Sequence, residues 1–166
     1  MKKAPLLLVL FSVCLFFMGC PYNSSVPIDA TGVKIDKRLI GKWQKRSSED
    51  DTYTVTKKDE NTYMIVDTPK KTEGSDNKDK TYTAFISDVD GVKFLNLNDA
   101  SDQNNIVFYF YKLEFADATG GFTLFPVTEY VTEKFTASAD LRKFFQQNKA
   151  LSFFYATKED YIKVSK

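Results

Sequence analysis

The side chains that usually carry catalysis are thinly represented in this chain, and one is missing altogether: it contains no histidine. That absence removes the commonest general base, the commonest metal ligand and the usual partner of a serine or cysteine nucleophile. What remains for proton transfer is carboxylates. Pairs such as Asp50/Asp51 or Glu129/Glu133 could in principle act as acid and base, the second predicted on one side of a strand. Exposed carboxylates keep ordinary pKa values, so no enzyme activity is expected. Asp88-Val89-Asp90-Gly91 and the stretch Asn96 through Asn105 gather the oxygen ligands that calcium takes. The first lacks the closing glutamate of a calcium loop and reads as a hairpin turn, and the second reads as a solvated loop. No metal and no cofactor are expected.

Binding chemistry is better represented, through 15 Phe, 9 Tyr and a lone Trp. The most aromatic run is Ile106 to Phe115. Period-two alternation puts Val107, Tyr109, Tyr111, Leu113 and Phe115 on one face and Ile106, Phe108 and Phe110 on the other. If Tyr109, Tyr111, Leu113 and Phe115 line an interior, their hydroxyls and rings suit a small apolar or amphipathic ligand such as a lipid or a pigment. The alternative is that these rings simply fill the core beneath a helix.

Position in the cell is written in the first twenty residues. Lys2 and Lys3 precede an apolar run from Ala4 to Met18, followed by Gly19 and Cys20. This is the pattern of a secretory signal peptide, too short to span a membrane comfortably. Phe17-Met18-Gly19-Cys20 resembles the lipobox of bacterial lipoproteins. The resemblance implies cleavage after residue 19, acylation of Cys20 with palmitate-type chains, and attachment to the cell envelope. Pro21 in place of a retention aspartate implies the outer membrane, with the domain in the periplasm or at the cell surface. Cys14 leaves with the leader, so no disulfide is expected. The formal charge of +1 becomes one unit negative once Lys2 and Lys3 are removed, and bulk charge attracts no nucleic acid.

Residues 20–38, polar or small with Pro21, Pro27 and Gly32, read as a tether. The alternative is an ordered arm, with Val26, Ile28, Val33 and Ile35 lying along the domain. One folded domain is expected over residues 39–166. Its strands are predicted at Tyr53 to Thr56, Thr62 to Val66, Thr81 to Ser87, Val92 to Asn98, Ile106 to Phe115, Phe122 to Val127, Tyr130 to Phe135, Leu151 to Tyr155 and Tyr161 to Val164. Asp90-Gly91 is the clearest hairpin signal. Between Thr136 and Asn148, Leu141, Phe144 and Phe145 recur at helical spacing, with Ser138 as the predicted N-cap.

Short strands with one late helix predict an all-β fold, either an antiparallel up-and-down barrel or a bent sandwich. Gly41-Lys42-Trp43 resembles the Gly-x-Trp of lipocalin-like (calycin) proteins. That resemblance implies that Trp43 plugs the closed end of a barrel, that Gly41 permits close backbone approach, and that Trp43 joins Tyr109, Tyr111, Leu113 and Phe115 as a ligand-site candidate. The whole chain also resembles small lipoproteins of Bacteroidetes-type bacteria, a likeness that implies no activity. Two functions are expected: a ligand-binding barrel on a lipid anchor, or a non-catalytic envelope module with a filled barrel, an exposed Phe108/Phe110 patch and a protein partner.

Overall fold

A computed structural model describes residues 21–71, 77–101, 106–116 and 120–164; the expected leader, residues 1–19, and Cys20 lie outside them. The alternating, β-branched and aromatic segments form strands as their period requires. A short β1 (Asn23–Ser24) is followed by β2 (Gly41–Lys45), β3 (Ser48–Lys57), β4 (Thr62–Pro69), β5 (Lys80–Val89), β6 (Val92–Asp99), β7 (Phe108–Phe115) and β8 (Phe122–Pro126). Helix α1 (Ser138–Asn148) and β9 (Glu159–Lys163) complete the chain.

All pairings are antiparallel, and each strand from β2 to β8 pairs with the next in sequence except that β8 continues to β9. Trp43 opposite Lys163 then joins β9 back to β2, closing an eight-stranded barrel. The fold class is therefore all-β, an antiparallel up-and-down barrel. Closure leaves almost no unpaired edge. The remaining edge of β7, beyond the end of β8, is taken by β1, with Asn23 opposite Tyr109.

Local chemistry fixes the hairpins. Asp90 and Gly91 take φ of 49° and 84°, the left-handed pair of a type I′ turn, and Asp88 Oδ1 accepts the Gly91 N–H at 2.7 Å. Asp59 Oδ1 accepts from the N–H groups of Asn61 and Thr62, closing the β3–β4 turn. At Gly41, φ is 149°, and a Cβ there would stand 2.9 Å from Lys163 Cε.

Two expected strands are absent. Glu129 and Tyr130 form a turn and residues 131–135 form no strand, and Leu151 to Tyr155 contains a 3-10 turn, Ser152–Phe154, with a single bridge from Tyr155 to Val127. The barrel is already closed without them, so neither has a strand edge to join. Glu129 and Glu133 accordingly do not share a strand. Ser138 begins the helix instead of capping it; Ala137 is the cap and makes no side-chain bond.

The two faces of the sheet bury different clusters. Inside lie Trp43, Val55, Tyr63, Ile86, Leu113 and Leu124 with their neighbours. Outside, α1 and the N-terminal arm cover the wall formed by β5, β6 and β7. Phe145 is fully buried and meets Phe94, Phe110 and Phe154 edge-on at 5.0, 5.2 and 5.3 Å. Arg142 clamps the helix to Asp29 at 2.8 Å and to the Asp88 carbonyl at 2.7 Å.

Of residues 20–38, read as a tether with an ordered arm as the alternative, residues 21–36 are packed against the barrel. Tyr22 and Ile28 are buried, the Ile28 N–H donates to Asn96 Oδ1 at 2.9 Å, and the Val33 N–H donates to the Ile86 carbonyl at 2.8 Å. Val26 packs on the outer cluster and Ile35 on the inner one, while Val33 stays exposed.

Candidate functional site

The barrel interior is not filled to the top. A cavity of about 230 Å³ remains above the core, and the alternation of the strands gives it two tiers. The lower tier is apolar: Val55, Ile65, Leu95, Leu113 and Leu124. The upper tier, nearer the mouth, carries Lys45, Tyr53, Asp67, Tyr82, Tyr111, Glu159 and Tyr161. An interior of eight strands can just hold a small ligand in this way.

Part of the polar tier is bonded together, around Glu159. Lys45 Nζ donates to Glu159 Oε1 at 2.9 Å, and the Tyr161 hydroxyl donates to Glu159 Oε2 at 2.8 Å. Asp67 Oδ1 is buried with no hydrogen-bond partner within the protein. An acceptor left in that state costs on the order of 1–3 kcal/mol unless something outside the fold satisfies it. Burial raises the Asp67 pKa, and the nearby Asp51 raises it further, against an opposing pull from Lys80 and Lys45. Burial also pushes up the phenols of Tyr53, Tyr82, Tyr111 and Tyr161, with Asp67 acting in the same direction on the first two and Glu159 on the last two. All four stay protonated and able to donate.

A ladder of rings forms one wall. Trp43 meets Phe122 edge-on at 4.8 Å, Phe122 stacks on Tyr161 at 4.9 Å, and Tyr53 meets Tyr161 edge-on at 5.6 Å. Trp43 stands at its foot, fully buried, with Nε1 donating to the Leu39 carbonyl at 2.8 Å. The 3-10 turn Lys37–Leu39 covers that end of the barrel.

The sequence candidates divide accordingly. Tyr111 and Leu113 line the cavity. Trp43 lies beneath it as packing, and Phe115 sits at the closed end, where Arg38 stacks on its ring at 3.7 Å. Tyr109 lies in an open groove at the mouth together with Pro21. On the opposite face of β7, Phe110 is fully buried under Phe145, and Phe108 meets Phe85 edge-on, so the expected exposed patch from Phe108 and Phe110 is instead covered by the arm and α1. The expected filled barrel gives way to a cavity because Asp67, Lys45 and Glu159 occupy inward positions that apolar side chains would otherwise fill.

Lys45, Tyr53, Asp67, Tyr82, Glu159 and Tyr161 were missed. One signal was available: Tyr63, Ile65 and Asp67 alternate onto one face, and an acid continuing an inward row is an anomaly. In the oxygen-rich segments, Asp90 and Asn96 serve structure, while residues 102–105 lie outside the described residues. Asp90 pairs with Lys149, and Asn96 is buried between the arm and Ser87. Among the described residues no three His, Cys, Asp or Glu side chains converge as a metal site.

No protein-family model, no curated protein and no solved structure matches this chain.

Proposed function

We propose that this protein is a non-catalytic, membrane-anchored lipoprotein whose barrel binds one small amphipathic ligand. The observation that carries the reading is the two-tiered cavity, apolar below and polar at the mouth, with one buried acceptor unsatisfied. At about 230 Å³ it falls below the roughly 300–1,000 Å³ of drug-sized ligand sites. The occupant is therefore a single ring or a short acyl chain. Its apolar end lies on Leu95, Leu113 and Leu124, and its polar end presents a hydrogen-bond donor or a positive charge to Asp67 beside four tyrosine rings. The anchor is Cys20, supported by the lipobox-like ending of the leader, and its place is the bacterial envelope, on the outer membrane where one exists.

Native mass spectrometry of the full chain, extracted from bacterial membranes in lipid nanodiscs, tests both halves. The expected spectrum shows an acylated chain starting at Cys20, plus a small mass that denaturation releases. Leu113→Trp fills the lower tier and abolishes that added mass. A bare acylated chain, with nothing bound in the wild type, overturns the binding function.

A further inference from the structure

The residues that follow the proposed anchor are held against the barrel. Cys20 is joined directly to Pro21, about 3.8 Å between Cα atoms, and Tyr22 is locked onto the barrel. The Tyr22 N–H donates to the Val127 carbonyl at 3.1 Å, its hydroxyl donates to the Glu133 carbonyl at 3.0 Å, and its ring meets Phe110 at 5.8 Å. Pro21 itself lines two open grooves, and Tyr111 lines both of them and the interior cavity as well. Pro21 therefore lies at the mouth of the barrel, not at its closed end.

The same end carries the most exposed large apolar side chains among the described residues. Tyr130 and Phe153 are each 71% exposed and Ile106 is 54% exposed, against 41% for the next, Val33. Tyr130 and Phe153 share the larger groove, of about 600 Å³, with Pro21. Ile106 adjoins Val107, which lines the other groove beside Pro21. An aromatic pair and an aliphatic side chain ringing a lipid attachment point match the composition of a membrane interface, where Tyr and other amphipathic rings sit at headgroup depth. The larger groove also carries Glu129 and Glu159, so its contact with lipid is apolar in character and not an attraction to anionic headgroups.

We propose that the open end of the barrel rests on the lipid surface, with Tyr130, Phe153 and Ile106 in the headgroup layer around the acylated Cys20, so that the cavity opens toward the bilayer and takes its ligand from it. This inference rests on the lipid anchor proposed above. It names the bilayer as the source of the ligand, which is then a membrane-soluble amphiphile.

Tryptophan fluorescence on the acylated full chain tests it, in phosphatidylethanolamine vesicles doped with brominated phosphatidylcholine. The native Trp43 is buried at the far end and serves as an internal baseline. Phe153→Trp and Tyr130→Trp each add a second emitter at the mouth, and Glu60→Trp adds one in the exposed β3–β4 turn at the closed end. The expected result is loss of most of the added emission for the two mouth variants, with the Glu60→Trp and wild-type signals unchanged. Equal, weak quenching at both ends overturns the inference while leaving the anchor and the carrier standing. Emission at position 153 that neither bromolipid nor aqueous acrylamide quenches also overturns it, because a protein partner or second copy then covers the groove. A chain that carries no acyl mass on Cys20 overturns the anchor and this inference together, whereas the ligand mass in native spectra reports on the cavity independently.

Discussion

The two faces of one β-sheet have been put to opposite uses. On the outer wall of β5, β6 and β7, Phe94 and Phe110 meet Phe145 and Phe154 in edge-on contacts, and the surrounding arm and helix leave those rings buried. On the inner face a comparable set of strands ends in Asp67, Lys45, Glu159 and four tyrosines around space that no side chain fills. Dense aromatic packing stabilises, because every ring contact excludes water and adds dispersion. A polar, incompletely satisfied cavity destabilises unless a ligand completes it. The outer face and the base of the barrel both stabilise the fold, and the mouth of the inner face is where it gives some stability up.

The largest effect expected from breaking that contrast is on the outer side. Phe145→Ala should cost about 3–5 kcal/mol in denaturant unfolding, since a fully buried ring leaves a cavity between β6, β7 and α1. Next comes Leu113→Trp inside the barrel. It should abolish the bound mass while costing about 1–3 kcal/mol from overpacking, so function falls much further than stability.

Asp67→Asn sharpens the comparison because its sign is opposite. The folded-state pKa of Asp67 lies above its ordinary value of 3.8. The folded protein thus holds a proton that the unfolded chain has already lost, and stability declines as pH rises through that window. Removing the charge should leave Tm unchanged only well below the ordinary value of 3.8, where the carboxyl is protonated in both states. Toward neutrality the variant should become the more stable protein, while ligand affinity falls. A loss of stability at neutral pH would show that Asp67 is structural. The smallest effect belongs to Tyr130→Ser and Phe153→Ser, which should change unfolding free energy by no more than about 0.5 kcal/mol. Both side chains are 71% exposed, so any larger cost would mean they are packed.

Hydrophobic period and turn chemistry made most of the barrel legible in advance. Asp90-Gly91 marked its hairpin because only a few residue types accept the positive φ of that turn, and Leu141 and Phe145 marked the helix because their spacing matches 3.6 residues per turn. Tyr111 and Leu113 were legible as cavity residues for the same reason: alternation decides which face a side chain joins. Alternation also made strands of 130–135 and of Leu151 to Tyr155 look plausible. It failed there because pairing depends on a free edge, and whether one exists is known only when the whole sheet has closed.

The chain by itself determined the strand and helix periods and the turn positions, which are local properties of adjacent residues. Tertiary structure alone decided that residues 21–36 pack as an arm, that Trp43 lies under the cavity and not in it, and that Asp67 is left facing the cavity without a partner. Each of these depends on distant segments meeting: Ile28 with Asn96, Trp43 with Phe122, and Asp67 with a mouth formed by β2, β3, β5 and β9. Packing between segments far apart in sequence is set by the closed barrel as a whole, and no window of neighbouring residues contains it.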